Sequence, residues 1–126
     1  MITREENVLL TDTTVGSPMG EMIRSHWIPF ACETELPAPD EPPQRIKLLG
    51  EDLLVFRDSD GRLGMIDEFC PHRRASLFYG RNEEAGIRCI YHGWKFDING
   101  SCVDMPSEPS SSSFRDTMTI KSYPVQ

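Results

Sequence analysis

Two short segments hold the residues that could do chemistry: Cys70-Pro71-His72 and Cys89-Ile90-Tyr91-His92, with sixteen residues (73–88) between them. Each segment offers one soft thiolate and one imidazole. Four cysteines in a secreted chain would suggest two disulfides. Nothing here points to export, however, and in a reducing compartment cysteines beside histidines favour metal. A single zinc ion could use two cysteines and two histidines, but zinc fingers usually group like with like. Mixed pairs suit a binuclear iron–sulfur cluster clasped by two loops from opposite sides. Cys70 and Cys89 would then bind the inner iron, and His72 and His92 the outer iron.

Such loops need a rigid frame, and the surrounding pattern reads as short strands separated by turns. Arg45–Leu49, Leu53–Arg57 and Arg62–Glu68 are the first three, with turns at 50–52 and 58–61. After the first Cys-His pair, Gly86–Ile90 and Trp94–Asp97 read as strands. Asp97-Ile98-Asn99-Gly100 is a hairpin signal with Ser101–Asp104 as its return, and Met118–Tyr123 is the last strand. Residues 106–113 are a Ser/Pro-rich loop. Upstream, residues 1–16 read as a loosely held arm, and Ser17-Pro18 marks a short helix over 18–26 that Pro29 ends. The prolines at 37, 39, 42 and 43 make an extended connector. The expectation is an all-β, antiparallel domain over 44–126, preceded by an N-terminal arm and short helix over 1–43.

At 126 residues the chain can bury one core. It has no apolar run long enough to span a membrane and no secretory segment, which predicts a cytoplasmic protein. The net charge of −7 is uneven: residues 1–69 carry −8, residues 70–95 carry +3 and residues 96–126 carry −2. The acidic total excludes nucleic acid as partner. The basic island contains both Cys-His segments, so Arg73, Arg74, Arg81 and Lys95 are candidates for docking an acidic electron-transfer partner, with Arg73 first. The competing reading is that some of them balance Glu83 and Glu84 in the same segment.

Cys70-Pro71-His72-Arg73 followed by Cys89-x-x-His92-Gly93-Trp94 resembles the Rieske [2Fe–2S] domain of ring-hydroxylating oxygenase large subunits, of the phthalate-dioxygenase and aromatic O-demethylase type. His26-Trp27-Ile28-Pro29 and Asp97-Ile98-Asn99-Gly100 fit it as well, so the resemblance covers most of 20–125. It implies a small antiparallel Rieske β-sandwich with two cluster-binding loops. Respiratory Rieske proteins join their two loops by a disulfide, but Ala75 and Tyr91 stand at the equivalent places here. The chain therefore resembles the oxygenase and ferredoxin branch, with a potential near the low end of the range of about −150 to +300 mV.

The resemblance further implies single-electron relay from a ferredoxin-type reductase to a mononuclear non-haem iron. That iron takes two histidines and a carboxylate, and only His26 is left over, so it is expected in a catalytic domain absent from this chain. The catalytic domain of the same or a neighbouring subunit in a homo-oligomer is then the second partner. The alternative is a free-standing Rieske ferredoxin, which has little need of ~40 residues before its first strand. Gly93 either lets backbone N–H groups approach the cluster sulfurs or is an ordinary turn glycine. Trp94 reads as core beneath the outer loop. Cys32 and Cys102 read as buried thiols, the methionines 19, 22, 65 and 105 as packing, and His26 as structural or surface. Glycine is frequent in the family where Arg74 stands, which leaves the backbone there open.

Overall fold

The computed structural model describes residues 1–126. Eight antiparallel strands form two four-stranded sheets. The first sheet has the order β1-β2-β3-β8 and the second β4-β5-β6-β7. The strands are β1 Gln44–Leu48, β2 Glu51–Arg57, β3 Leu63–Asp67, β4 Arg81–Glu83, β5 Gly86–Arg88, β6 Lys95–Phe96, β7 Cys102–Asp104 and β8 Ser122–Tyr123. Three short helices complete the fold: α1 Arg4–Thr11, α2 Pro18–Arg24 and α3 Phe114–Thr117. No helix is long and apolar enough to cross a membrane.

The run Leu53-Leu54-Val55-Phe56 in β2 is buried throughout, and the two-residue period of a strand sends alternate side chains to opposite faces. Leu54 and Phe56, with Ile66 of β3, face the second sheet and join Leu77, Ile87, Trp94 and Phe96 in the main core. Leu53, Val55 and Met65 point the other way, where Phe30, Leu36, Tyr123 and Val125 cover them. Residues before β1 and the C-terminal segment therefore close the outer face of the first sheet together.

Several local signals hold. The Ser17 hydroxyl accepts from the Gly20 N–H and Pro18 occupies the first turn of α2, which ends at Arg24. Asp97 accepts from the N–H groups of Asn99 and Ser101, and Gly100 takes φ +79°. Added there, a Cβ would lie 2.2 Å from the Ile120 carbonyl oxygen.

Other elements differ from the sequence reading. The expected loose arm contains α1, opened by a reciprocal cap between Thr3 and Glu6 but burying no residue. The first hairpin turns on Leu49 and Gly50, both at positive φ, one residue earlier than its glycine and acids suggest. Strand β4 is unanticipated, because its two-residue turn to β5 is Glu84-Ala85 at φ +49° and +63°, with no glycine or asparagine to announce it.

Glu51, at the start of β2, ties the cover to the sheet. Its carboxylate accepts from Arg24 Nη2 at 2.9 Å, from the Tyr123 hydroxyl at 2.6 Å and from Lys121. Arg24 also donates to the carbonyls of Thr13 and Leu49. Burial pushes the Glu51 carboxyl upward, but these three donors outweigh it and hold the pKa at about 2. The folded value lies below the unfolded one, so the network stabilises fully above about pH 4.5 and is lost as the pH falls toward 2. Glu51→Gln is expected to cost about 3 kcal/mol at pH 7 and to flatten the acid limb of stability. Urea midpoints of both proteins between pH 2 and 7 check this; parallel curves below pH 5 would remove the network from the acid response.

Candidate metal centre

The two cluster-candidate loops leave the ends of β3 and β5 and close in the same way. In the first, the Cys70 N–H donates to the Ala75 carbonyl at 2.9 Å and the Arg74 N–H returns to the Cys70 carbonyl at 2.9 Å. In the second, the Cys89 N–H donates to the Trp94 carbonyl at 2.8 Å and the Gly93 N–H returns to the Cys89 carbonyl at 3.0 Å. Both loops take a left-handed residue four positions after the cysteine: Arg74 at φ +58° and Gly93 at φ +79°. Glycine meets this requirement without penalty, whereas arginine bears a steric cost of about 1–2 kcal/mol. The Gly93 N–H is thus used in loop closure.

This geometry sorts the four donors into two pairs. Cys70 and Cys89 are buried in the main core beside Leu77, Ile87 and Met105. His72 and His92 are exposed, with ring centroids 4.4 Å apart. No three Cys, His, Asp or Glu side chains gather around a single point. The arrangement is two thiols inside and two imidazoles at the rim, which suits two linked irons with different ligands. All four cysteines are free thiols.

Burial pushes the Cys70 thiol up to about 11; backbone N–H groups of His72 and Arg73 pull against it, while the adjacent Cys89 adds to the rise. Iron binding would therefore have to displace the Cys70 proton. His72 is drawn down by desolvation and by the neighbouring His92 and Arg73.

Trp94 is buried and lies flat against the His72 ring, with centroids 4.6 Å apart and planes 6° from parallel. The indole is core, as expected, and also the wall that one candidate ligand leans on. Phe114 of α3 meets the indole edge-on at 6.3 Å. Nothing in the sequence marks Phe114, since it follows a Ser/Pro-rich loop.

The remaining candidates divide. Cys102 is buried and donates to the Asp104 carbonyl. Cys32 is exposed, contrary to the expectation of a buried thiol, because it precedes the 3-10 turn Glu33–Glu35 on the surface. Met65 and Met105 pack in the core, but Met22 lies on the exposed face of α2. His26 is a surface residue just past α2, its Nδ1 2.9 Å from the Met22 carbonyl.

The basic island also separates. Lys95 is buried and pairs with Glu84, so it offers no charge to a partner, whereas Arg81 pairs with Glu83 but stays exposed. Arg73 is exposed, and Arg74 lies over the Phe69 ring with only a 4.0 Å approach to Asp67. Exposed Ile90 and Tyr91 complete the surface around the imidazoles.

Comparison with known proteins agrees with this geometry. The Rieske [2Fe-2S] domain matches residues 26–124. The chain is 56% identical to the phthalate 4,5-dioxygenase oxygenase subunit of Pseudomonas putida, over 98% of its own length and 28% of the relative's. It is 40% identical to the 5,5'-dehydrodivanillate O-demethylase oxygenase subunit of a Sphingobium species, over 100% of its length and 30% of the relative's. Among solved structures, the reduced oxygenase–ferredoxin complex of carbazole 1,9a-dioxygenase aligns with a TM-score of 0.66 at 33% identity, covering 80% of this chain and 26% of that one. The chain spans less than a third of the length of these relatives. On the loops and on these matches together, the chain belongs to the Rieske [2Fe–2S] domain family.

Proposed function

We propose that Cys70 and Cys89 hold the inner iron of a [2Fe–2S] cluster, that His72 and His92 hold the outer iron, and that the domain relays single electrons within an aromatic ring-hydroxylating oxygenase of the cytoplasm. The observation that carries the reading is the pair of identically closed loops, which buries two thiols and leaves two imidazoles exposed. When bound, the cluster supplies a reversible one-electron couple.

The chain's residues set the conditions for that couple. Leu77, Ile87 and Met105 exclude water from the thiol side. Trp94 fixes the plane of the His72 ring. The exposed imidazole edges give electrons the shortest route to a partner. Residues 44–126 form the cluster-binding unit, and residues 1–43 serve as its arm and cover.

The donor is a ferredoxin-type reductase or ferredoxin. The carbazole dioxygenase relative in complex with ferredoxin supports a partner of this type. The acceptor is a mononuclear non-haem iron in the catalytic domain of the same or a neighbouring subunit of a homo-oligomer. The relatives, oxygenase subunits over three times the length of this chain, favour this reading over a free-standing ferredoxin.

Purified protein is expected to be reddish-brown, with ~2 iron and ~2 sulfide per chain, and to show a low average g value when reduced. Cys70→Ser or Cys89→Ser removes a thiolate and abolishes the cluster. A cluster-bearing His72→Cys variant is expected at a lower potential, because a charged thiolate favours the oxidised state. A colourless protein with one zinc per chain, or Cys89→Ser protein with an intact spectrum, overturns the ligand assignment.

Docking is expected to use Arg73 and Arg74 with Ile90 and Tyr91, an aromatic and basic surface of the kind that interfaces favour. Substituting both arginines by glutamine slows reduction by the cognate donor and weakens its salt dependence, while the cluster spectrum stays intact. Stopped-flow reduction at several ionic strengths measures both quantities. An unchanged rate and salt slope would place docking elsewhere.

A further inference from the structure

We propose that Arg88 is a positioning residue for the second cluster loop, holding its far end to its near end and so fixing how Cys89 and His92 are presented. The inference rests on the ligand assignment proposed above.

Arg88 ends β5, one residue before Cys89, and its side chain is only 14% exposed. Its Nη1 donates to the Gly93 carbonyl at 2.8 Å, immediately past His92. Its Nε donates to Glu83 Oε1 at 2.6 Å, and Nη1 lies 2.7 Å from Asp104 Oδ2. The guanidinium therefore bridges three places: the end of the loop, β4 and β7. The loop is attached to Arg88 covalently at its start and by this hydrogen bond at its end. Gly93 also carries the left-handed turn that closes the loop, so a shift of its carbonyl would be passed directly to the His92 peptide.

The first loop has a different clamp. There the buried Glu68 carboxylate accepts from Ser76 Oγ at 2.5 Å and Arg45 Nε at 2.9 Å, while its carbonyl accepts from the Leu77 N–H. One loop is held by a carboxylate and the other by a guanidinium. Only the guanidinium has the planar fork that reaches a carbonyl and two carboxylates together, so lysine is not an equivalent substitute. This is also why Arg88, though part of the basic island, offers no charge to a docking partner.

Residues that support metal ligands from outside the coordination sphere typically alter affinity by roughly 10–100-fold when replaced. Arg88→Met is expected to lose its cluster to a chelator faster by a factor in that range. Its reduced EPR lines should broaden as the loop samples more than one arrangement. Its potential should fall, because one positive charge is removed beside the loop and Asp104 is left without its counter-charge, while Glu83 keeps Arg81. Arg88→Lys keeps the charge and loses the fork, so its potential stays near the parent's while the lines still broaden and cluster loss is intermediate.

Arg57→Met is the control. Arg57 is a comparably enclosed fork, bound to the Pro37 and Gly61 carbonyls and to Glu33. Its loss should lower stability without moving the EPR line shape or potential. If Arg88→Met does not fold, Arg88→Lys carries the test. A lysine variant matching the parent in line shape and cluster loss overturns the proposal, as does an Arg57→Met variant that reproduces the Arg88 spectrum. Parent protein without iron and sulfide would instead defeat the ligand assignment itself.

Discussion

Each candidate cluster loop buries a thiol and exposes an imidazole within three or four residues of chain. A segment that short can do both only by turning back on itself. It does so with a pair of hydrogen bonds between the cysteine's own peptide groups and residues four and five positions on. That closure demands a left-handed residue at the fourth position, which Gly93 meets freely and Arg74 meets at a steric cost. The closed loops leave cysteine sulfurs facing the core and the histidine rings outside. Everything behind them follows from keeping those sulfurs dry: Leu77, Ile87, Trp94, Phe96 and Met105 form an apolar floor contributed by the second sheet and the segments flanking its strands, with Leu54, Phe56 and Ile66 of the first sheet in the same core.

Charge is arranged to serve the same constraint. The segment from 70 to 95 is basic in sequence, but its cations have different tasks. Arg88 and Lys95 are enclosed and matched by Glu83, Asp104 and Glu84, so their charge is spent within the fold. Arg73 and Arg74 stay at the surface beside the imidazoles. A field that steers an approaching partner comes from exposed charge, and Arg73 and Arg74 supply two such charges within the first candidate loop.

The two candidate Cys-His pairs, the antiparallel strands and the Ser17-Pro18 helix start were legible because each rests on a local chemical rule. Mixed Cys-His pairs have few structural explanations, strands announce themselves by alternation, and caps by residue type. What escaped was set by tertiary context. Strand β4 turns on Glu84-Ala85, where neighbouring strands impose positive φ on residues that do not favour it. Leu49 likewise enters the first turn because the register Leu48↔Glu51 leaves only two residues to connect the strands. The roles of Arg88 and Phe114 depend on partners distant in the chain or on a loop with no pattern of its own. Cys32 looked like a buried thiol by residue type, yet a surface 3-10 turn places it outside.

The first sheet separates two tasks that share one chain. Its inner face, through Leu54, Phe56 and Ile66, belongs to the core that also contains Cys70 and Cys89. Its outer face, through Leu53, Val55 and Met65, is covered by residues from both ends of the sequence. There residues 24–31 and 123–126 also line a cavity of about 520 Å³. The Glu51 network pins this cover, and the Arg88 clamp pins the second loop, with no residue common to the two. Perturbations at sites that share no partner combine additively. Acid loosening of the cover can therefore lower the stability of the whole domain while leaving the hydrogen bonds that shape the loops unchanged. The fold thus lets the donors' geometry depend on local contacts at one face while overall stability is shared with the other.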